Sequence, residues 1–171
     1  MSETEHRELV ALAAGAHPDD IEFMMAGTLL MLRNAGARIH MWSVSDGSLG
    51  SVDKSREATA KIRLAEARAS AGAAGAEFHG PVAPDMGISW DPEMVARAAA
   101  VVRAVRPRII LVHSPSDYHP DHENSCRLVV AAAFVRGLHE YRTVPETPPW
   151  DGDVTIYHAC LLYTSPSPRD S

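Results

Sequence analysis

The chain has 171 residues, 46% of them hydrophobic, and a formal net charge of -6 at neutral pH. That is the size of one globular domain able to bury a core without disulfides or metal staples. The acidic balance excludes the usual nucleic-acid binder, which gathers basic residues on one face, and suits a neutral or cationic small substrate better.

The amino-terminal MSETEHREL is acidic and polar, without the basic flank and apolar stretch of a signal peptide. No later apolar run is long enough to span a bilayer, so a cytoplasmic protein without membrane insertion is expected. Glu8 to Gly15, ELVALAAG, is a nearly continuous apolar run ending at a glycine, as in a buried parallel strand. Pro18 suits a first helical position, and Ile21, Met24, Met25, Leu29 and Leu32 then recur at helical spacing up to Asn34-Ala35-Gly36. Met24, Met25 and Met31 read as core fillers on that helix.

Arg38 to Val44 alternates as a second strand and gives way to the turn-like Ser45 to Gly50. Lys54 to Ala74, rich in Ala, Arg, Lys and Glu, reads as one long helix ended by glycines. A weak strand follows at Glu77 to His79, then a helix over Asp91 to Val105 and a strong strand, RIILVH, over Arg108 to His113. Asp121 to Gly137 reads as a helix, Val144 to Trp150 as a Pro-rich loop, and Val154 to Tyr157 as a last strand. His40 and His79 read as packed or surface histidines. Of the two cysteines, Cys126 and Cys160, neither has metal or redox spacing, and Cys126 reads as a small buried hydrophobe.

Strands alternating with helices predict a three-layer α/β fold with a mostly parallel sheet, whose ligands gather at the carboxyl ends of the strands where chain order reverses. Two short clusters fall at such ends: Ala16-His17-Pro18-Asp19-Asp20 after the first strand, and His119-Pro120-Asp121-His122 after RIILVH. If those two strands are neighbours, the clusters face each other. His17 and Asp20 are three apart, as are His119 and His122, and imidazole plus carboxylate is a zinc-like ligand set. Alone, Asp19 and Asp20 would read as helix-dipole residues.

These two clusters, AHPDD and HPDH, resemble the signatures of the PIG-L/LmbE family of zinc-dependent N-acetylglucosaminyl deacetylases, and the resemblance runs from about Glu8 to Val154. It implies a Rossmann-like fold and removal of an acetyl or related acyl group from an amino sugar or glycoconjugate. It also implies that His17, Asp20 and His122 hold the metal, zinc or in the cell iron. Asp19 would be the general base on the metal's water. His119 would stabilise the oxyanion or protonate the departing amine, with Asp121 orienting it. Arg63, in Arg63-Leu64-Ala65-Glu66, and Asp85, after Pro84, match family positions that contact substrate. Both also read as ordinary residues, a solvated helix charge and a turn aspartate. Tyr118 is left outside the catalytic set because its spacing from His119 differs from that of the family's oxyanion tyrosine. Asp117 reads equally as a partner of a metal-binding histidine or as a loop cap.

Selectivity is expected from the loops Ser45 to Lys54 and Met86 to Asp91. Two other readings stay open: hydrolysis of a non-sugar amide by the same site, and a non-catalytic sugar- or nucleotide-binding module. The second is disfavoured for nucleotides because the first loop has no GxGxxG phosphate cradle. The domain is expected to span residues 1–159 and to be incomplete at its carboxyl end. Residues 160–171 read as a non-native tail, since CLLYTSPSPRD resembles translated sequencing-adapter sequence. Such a chain is expected to be poorly stable even with every metal residue present.

Overall fold

Alternation of apolar strands with amphipathic helices produces one five-stranded sheet with helices on both faces. The structure, a computed structural model, describes residues 8–160; beyond Cys160, the segment expected as a tail lies outside them. The strands are β1 (Val10–Gly15), β2 (Arg38–Ser43), β3 (Glu77–His79), β4 (Ile109–His113) and β5 (Thr155–Ala159). They run in the order β3-β2-β1-β4-β5, and every pairing is parallel. The helices are α1 (Asp20–Met24), α2 (Ala26–Asn34), α3 (Arg56–Ala74), α4 (Pro92–Val105) and α5 (Pro120–Val135).

All six residues of β1 are buried, as befits the central strand. Val10, Leu12 and Ala14 pack with Trp42 of β2 and with α4 and α5 on one face. Ala11 and Ala13 join Ile21, Met25, Leu29, Ile39, Met41 and Ala71 on the other. The period of two along β1 thus feeds two cores, and its small alanines let helices approach from both sides.

The run expected as one helix from Pro18 to Asn34-Ala35-Gly36 is two. At Met25 the backbone leaves helical geometry, with φ -128° and ψ -19°, while Met25 itself turns into the core. Met31 is 74% exposed, which corrects its reading as a core filler. It lies two residues from buried Leu29, and two residues turn the helix about 200°, onto the opposite side. Elsewhere the local signals hold. Ser55 caps α3 by accepting from Ala58 N at 3.2 Å, and Asp91 caps α4 by accepting from Met94 N at 3.0 Å.

Arg103 is an exception to polar-outside packing. Its guanidinium, 2% exposed, donates to the carbonyls of Val135, Arg136, Leu138 and Thr147, tying α4 to the end of α5 and to the Pro-rich loop. No helix among the described residues is long and apolar enough to cross a membrane.

Candidate metal and catalytic centre

β1 is followed in sequence by β2 on one side, and the chain later returns to its other side as β4. The order therefore reverses between β1 and β4, the crevice where parallel sheets collect ligands. Both clusters open into it. Gly15 ends β1, and a Cβ there would stand 3.0 Å from Asp20 Cβ and Ile21 Cγ1, so the glycine lets α1 fold tightly over the strand end. His17 N donates to Asp20 Oδ2 at 2.7 Å, fixing the carboxylate beneath the turn.

Asp20 is the hub. Its Oδ2 lies 3.4 Å from His17 Nδ1 and its Oδ1 lies 3.3 Å from His122 Nε2. The outer nitrogens of both rings meet other carboxylates. His17 Nε2 is 3.3 Å from Asp121 Oδ2 and 3.5 Å from Asp85 Oδ1, and His122 Nδ1 is 3.2 Å from Asp117 Oδ1. A histidine with one nitrogen turned inward and the other on a carboxylate is the usual arrangement of a metal-binding imidazole. The donor set therefore fits a divalent ion of zinc or iron type. His17, Asp20 and His122 do not fall in one donor group but are divided among three that overlap, one of them His17 with Asp85 and Asp121. One nitrogen each of His17, His119 and His122 lie within 4.8 Å of one another, and so do single donor atoms of Asp20, His113 and His122.

His113, at the end of β4, is the site residue missed by sequence reasoning. It is fully buried, stacks on His122 with ring centroids 4.0 Å apart, and brings Nε2 to 3.1 Å from Asp20 Oδ2 and 3.0 Å from Ala16 N. Its position as the last residue of the strongest strand was the available signal, because such positions face the crevice of a parallel sheet.

Charge follows this geometry. Burial raises the Asp20 carboxyl, but hydrogen bonds with His113, His122 and His17 outweigh it and hold the group well below the usual carboxylate range. Burial likewise depresses His17 and His122, yet Asp20, with Asp85 and Asp121 for the first ring and Asp117 for the second, leaves both raised. His119 is lowered by burial and then by the charges of His17 and His122.

His119 caps α5: its Nδ1 accepts from Asp121 N at 3.2 Å. An accepting Nδ1 carries no proton, so the neutral ring bears its hydrogen on Nε2. Asp121 thus reaches His119 through its backbone amide and not through its carboxylate. The Asp121 carboxylate, 1% exposed, instead accepts from Met86 N at 2.8 Å and meets His17. Asp117 Oδ1 also accepts from His119 N at 3.1 Å, so one carboxylate oxygen faces both the His122 ring and the loop backbone.

Asp19 is about half exposed at the mouth, and its Oδ1 lies 2.8 Å from Arg63 Nη2. Arg63 Nη1 donates to Gly47 O at 3.1 Å. The guanidinium runs where side chains of Gly47 and Gly50 would stand: a Cβ on Gly47 would fall 2.7 Å from Nη1, and one on Gly50 would collide with the same atom. Asp85 is buried, and its Oδ2 accepts from Leu49 N at 2.9 Å. Its other oxygen faces His17, so it joins the metal group from the far side. A cavity of about 340 Å³ opens over these residues, rimmed by Leu49, Met86 and Tyr118.

A family profile described as GlcNAc-PI de-N-acetylase matches residues 12–133. Among curated relatives, the chain is 30% identical to a diacetylchitobiose deacetylase of Thermococcus kodakarensis over 73% of its own length and 49% of the relative's. It is also 30% identical to a 1D-myo-inositol 2-acetamido-2-deoxy-alpha-D-glucopyranoside deacetylase of Kineococcus radiotolerans, covering 69% of this chain and 44% of that one. The chain thus spans about half the length of these relatives. Among solved structures, the conserved protein TT1542 of Thermus thermophilus superposes with TM-score 0.77 at 28% identity, covering 90% of this chain and 67% of that one. An N,N'-diacetylchitobiose deacetylase of Pyrococcus horikoshii gives TM-score 0.79 at 22% identity, over 88% of this chain and 60% of that one, a likeness of fold alone. With the profile match spanning both histidine-aspartate clusters, the chain belongs to the PIG-L family of GlcNAc-PI de-N-acetylases.

Proposed function

We propose that the protein is a metal-dependent hydrolase that removes an N-acetyl or related N-acyl group from an amino sugar or glycoconjugate. The observation that carries this reading is the pairing of a metal-type donor set with an aspartate, Asp19, held at its mouth by Arg63. His17, Asp20 and His122 would hold the ion, zinc or iron. When bound, the ion would act as a Lewis acid on the acyl carbonyl and lower the pKa of a water nearby.

The chain's residues divide the remaining work. Asp19 accepts the proton of the attacking water, with Arg63 on Oδ1 and Oδ2 left for that proton, and returns it to the departing amine as the C–N bond breaks. His119, as a neutral ring with its hydrogen on Nε2, donates to the developing oxyanion. This differs from the imidazolium that the motif suggests, because the cap on α5 occupies Nδ1. Asp117, Asp121 and Asp85 orient the two ligating rings, so Asp85 acts through His17 in addition to any contact with sugar hydroxyls. Among the described residues Arg63 is the only arginine or lysine lining the cavity, and Asp19 and Gly47 already engage it. That favours an uncharged acyl sugar over an anionic substrate.

The test is amine release from a panel of N-acetylglucosaminides and non-sugar acetamides by zinc-loaded protein, beside Asp19→Asn. Release from the sugars, lost in the variant, supports the reading. Sugar affinity without turnover at full metal occupancy would transfer it to a binding module, and release from the non-sugar amides alone would change the substrate class.

A further inference from the structure

A second group of donors lies outside the crevice. β2 pairs with β3 in a register that sets His40 opposite Glu77 and Trp42 opposite His79. Because side chains alternate along strands, residues 40, 77 and 79 share one face of the sheet. His40 Nδ1 stands 2.9 Å from His79 Nε2 and 3.7 Å from Glu77 Oε2, and single donor atoms of all three lie within 4.8 Å of one another. The two rings stack with centroids 5.1 Å apart. No residue of this group belongs to the first centre.

We propose that His40, His79 and Glu77 form a second, structural site for a transition-metal ion of zinc type, which clamps edge strand β3 to β2. Two imidazoles and a carboxylate select zinc, cobalt or nickel over calcium or magnesium. Around a tetrahedral zinc with bonds of 2.0–2.1 Å, ligand atoms stand about 3.3 Å apart. The observed separations bracket that value, so the ion needs only small side-chain shifts.

Burial is graded across the group. His40 is 2% exposed, whereas the Glu77 side chain is 65% exposed, which gives an ion a path in and leaves an outer position for water. Both rings are held neutral, the form that binds metal: burial, then the facing His79, push His40 down to about 4, and burial lowers His79. In the metal-free state the two facing nitrogens share one proton. With both facing nitrogens turned to the ion, each neutral ring carries its proton on the other nitrogen, for His40 the buried Nε2, which has no hydrogen-bond partner among the described residues. No proton is released overall, and the cost of that buried N–H keeps the affinity below that of the first centre. The benefit is mechanical. β3 is three residues long, and a clamp on Glu77 and His79 spans it.

The test is zinc content after equilibrium dialysis, with cobalt absorption as a report of tetrahedral ligation, in a His17→Ala/His122→Ala background that disables the first centre. One zinc retained, accompanied by a higher melting temperature and lost on adding His79→Ala, is the expected result. Glu77→Gln, which removes a ligand carboxylate at an exposed position, should weaken binding and leave the metal-free melt unchanged. If the background variant does not fold, zinc stoichiometry in the otherwise unaltered chain should fall from two to one with His79→Ala. Absence of zinc from the folded background, or zinc that survives His79→Ala, would overturn the proposal. The site stands or falls independently of the hydrolase reading, because amine release is not its readout.

Discussion

Arg63 Nη2 lies 2.8 Å from Asp19 Oδ1 while the other arm of the same guanidinium donates to Gly47 O. A residue near the middle of α3 thereby fixes the carboxylate that follows β1, and it does so through a loop kept clear by two glycines. The motif assigns Arg63 to substrate; the geometry assigns it first to the base.

Arg63→Ala is therefore expected to lower kcat roughly ten- to a hundredfold, the effect of losing a charge-assisted bond of about 1.5–3 kcal/mol, with KM little changed. Steady-state kinetics on the best amino-sugar substrate decide it. A rise in KM at constant kcat would mean that Arg63 binds substrate.

The loop glycines make a linked prediction. Gly47 has φ +62°, and its Cβ would fall 2.6 Å from Pro18 Cδ as well as against Arg63. Gly47→Ala should cost about 1–3 kcal/mol of stability from backbone strain and should depress kcat as Arg63→Ala does. Combined in one chain, the two kcat losses should be less than multiplicative. A fully multiplicative double variant would separate the loop from the base.

His113 supports the proposed metal ligands from the strand below: its Nε2 accepts from Ala16 N at 3.0 Å and stands 3.1 Å from Asp20 Oδ2. Replacement by Leu should weaken metal affinity about 10–100-fold, the scale of losses at supporting residues of metal sites. Gln, whose terminal amide reaches the Nε2 position, should recover much of it. Competition with a chromophoric chelator gives the affinities, and equal affinity in the Leu variant would leave His113 a packing residue.

Arg103 has no carboxylate partner among the described residues but satisfies four backbone carbonyls. Arg103→Met should destabilise by at least about 3 kcal/mol, because each buried carbonyl left unpaired costs about 1–3 kcal/mol. Urea unfolding measures this, and a loss below about 1 kcal/mol would show that the loop rearranges to let water in.

His40 gives a pH dependence of defined sign. Its pKa falls from an ordinary 6.5 to about 4 through burial and the facing His79, with Arg38 also lowering it and Glu77 and Glu8 opposing. Between those values the unfolded chain binds more protons than the folded one, so stability rises with pH across the window. The contribution is complete above pH 6.5 and is lost as pH falls through about 4. In metal-free protein, His40→Gln should flatten this limb of the stability profile; urea midpoints at several pH values that track the unaltered chain throughout would refute it.

The alternation of strands and helices and the two clusters are legible in the sequence, because each rests on spacing within a few residues. ELVALAAG declares a central strand by its unbroken apolarity, and AHPDD and HPDH declare their chemistry by composition. Tertiary structure decided what touches what. The Asp121 carboxylate turned to His17 because Met86 N and the His17 ring, distant in sequence, met it in the crevice. His113 entered the centre because β4 lies beside β1, and His40 met His79 because β3 pairs with β2 in one register. The break at Met25 and the exposure of Met31 came from the core that a helix must fit, which its own periodicity does not record. Local pattern sets which elements form, whereas the partners of a buried polar group are fixed by the fold that desolvates it.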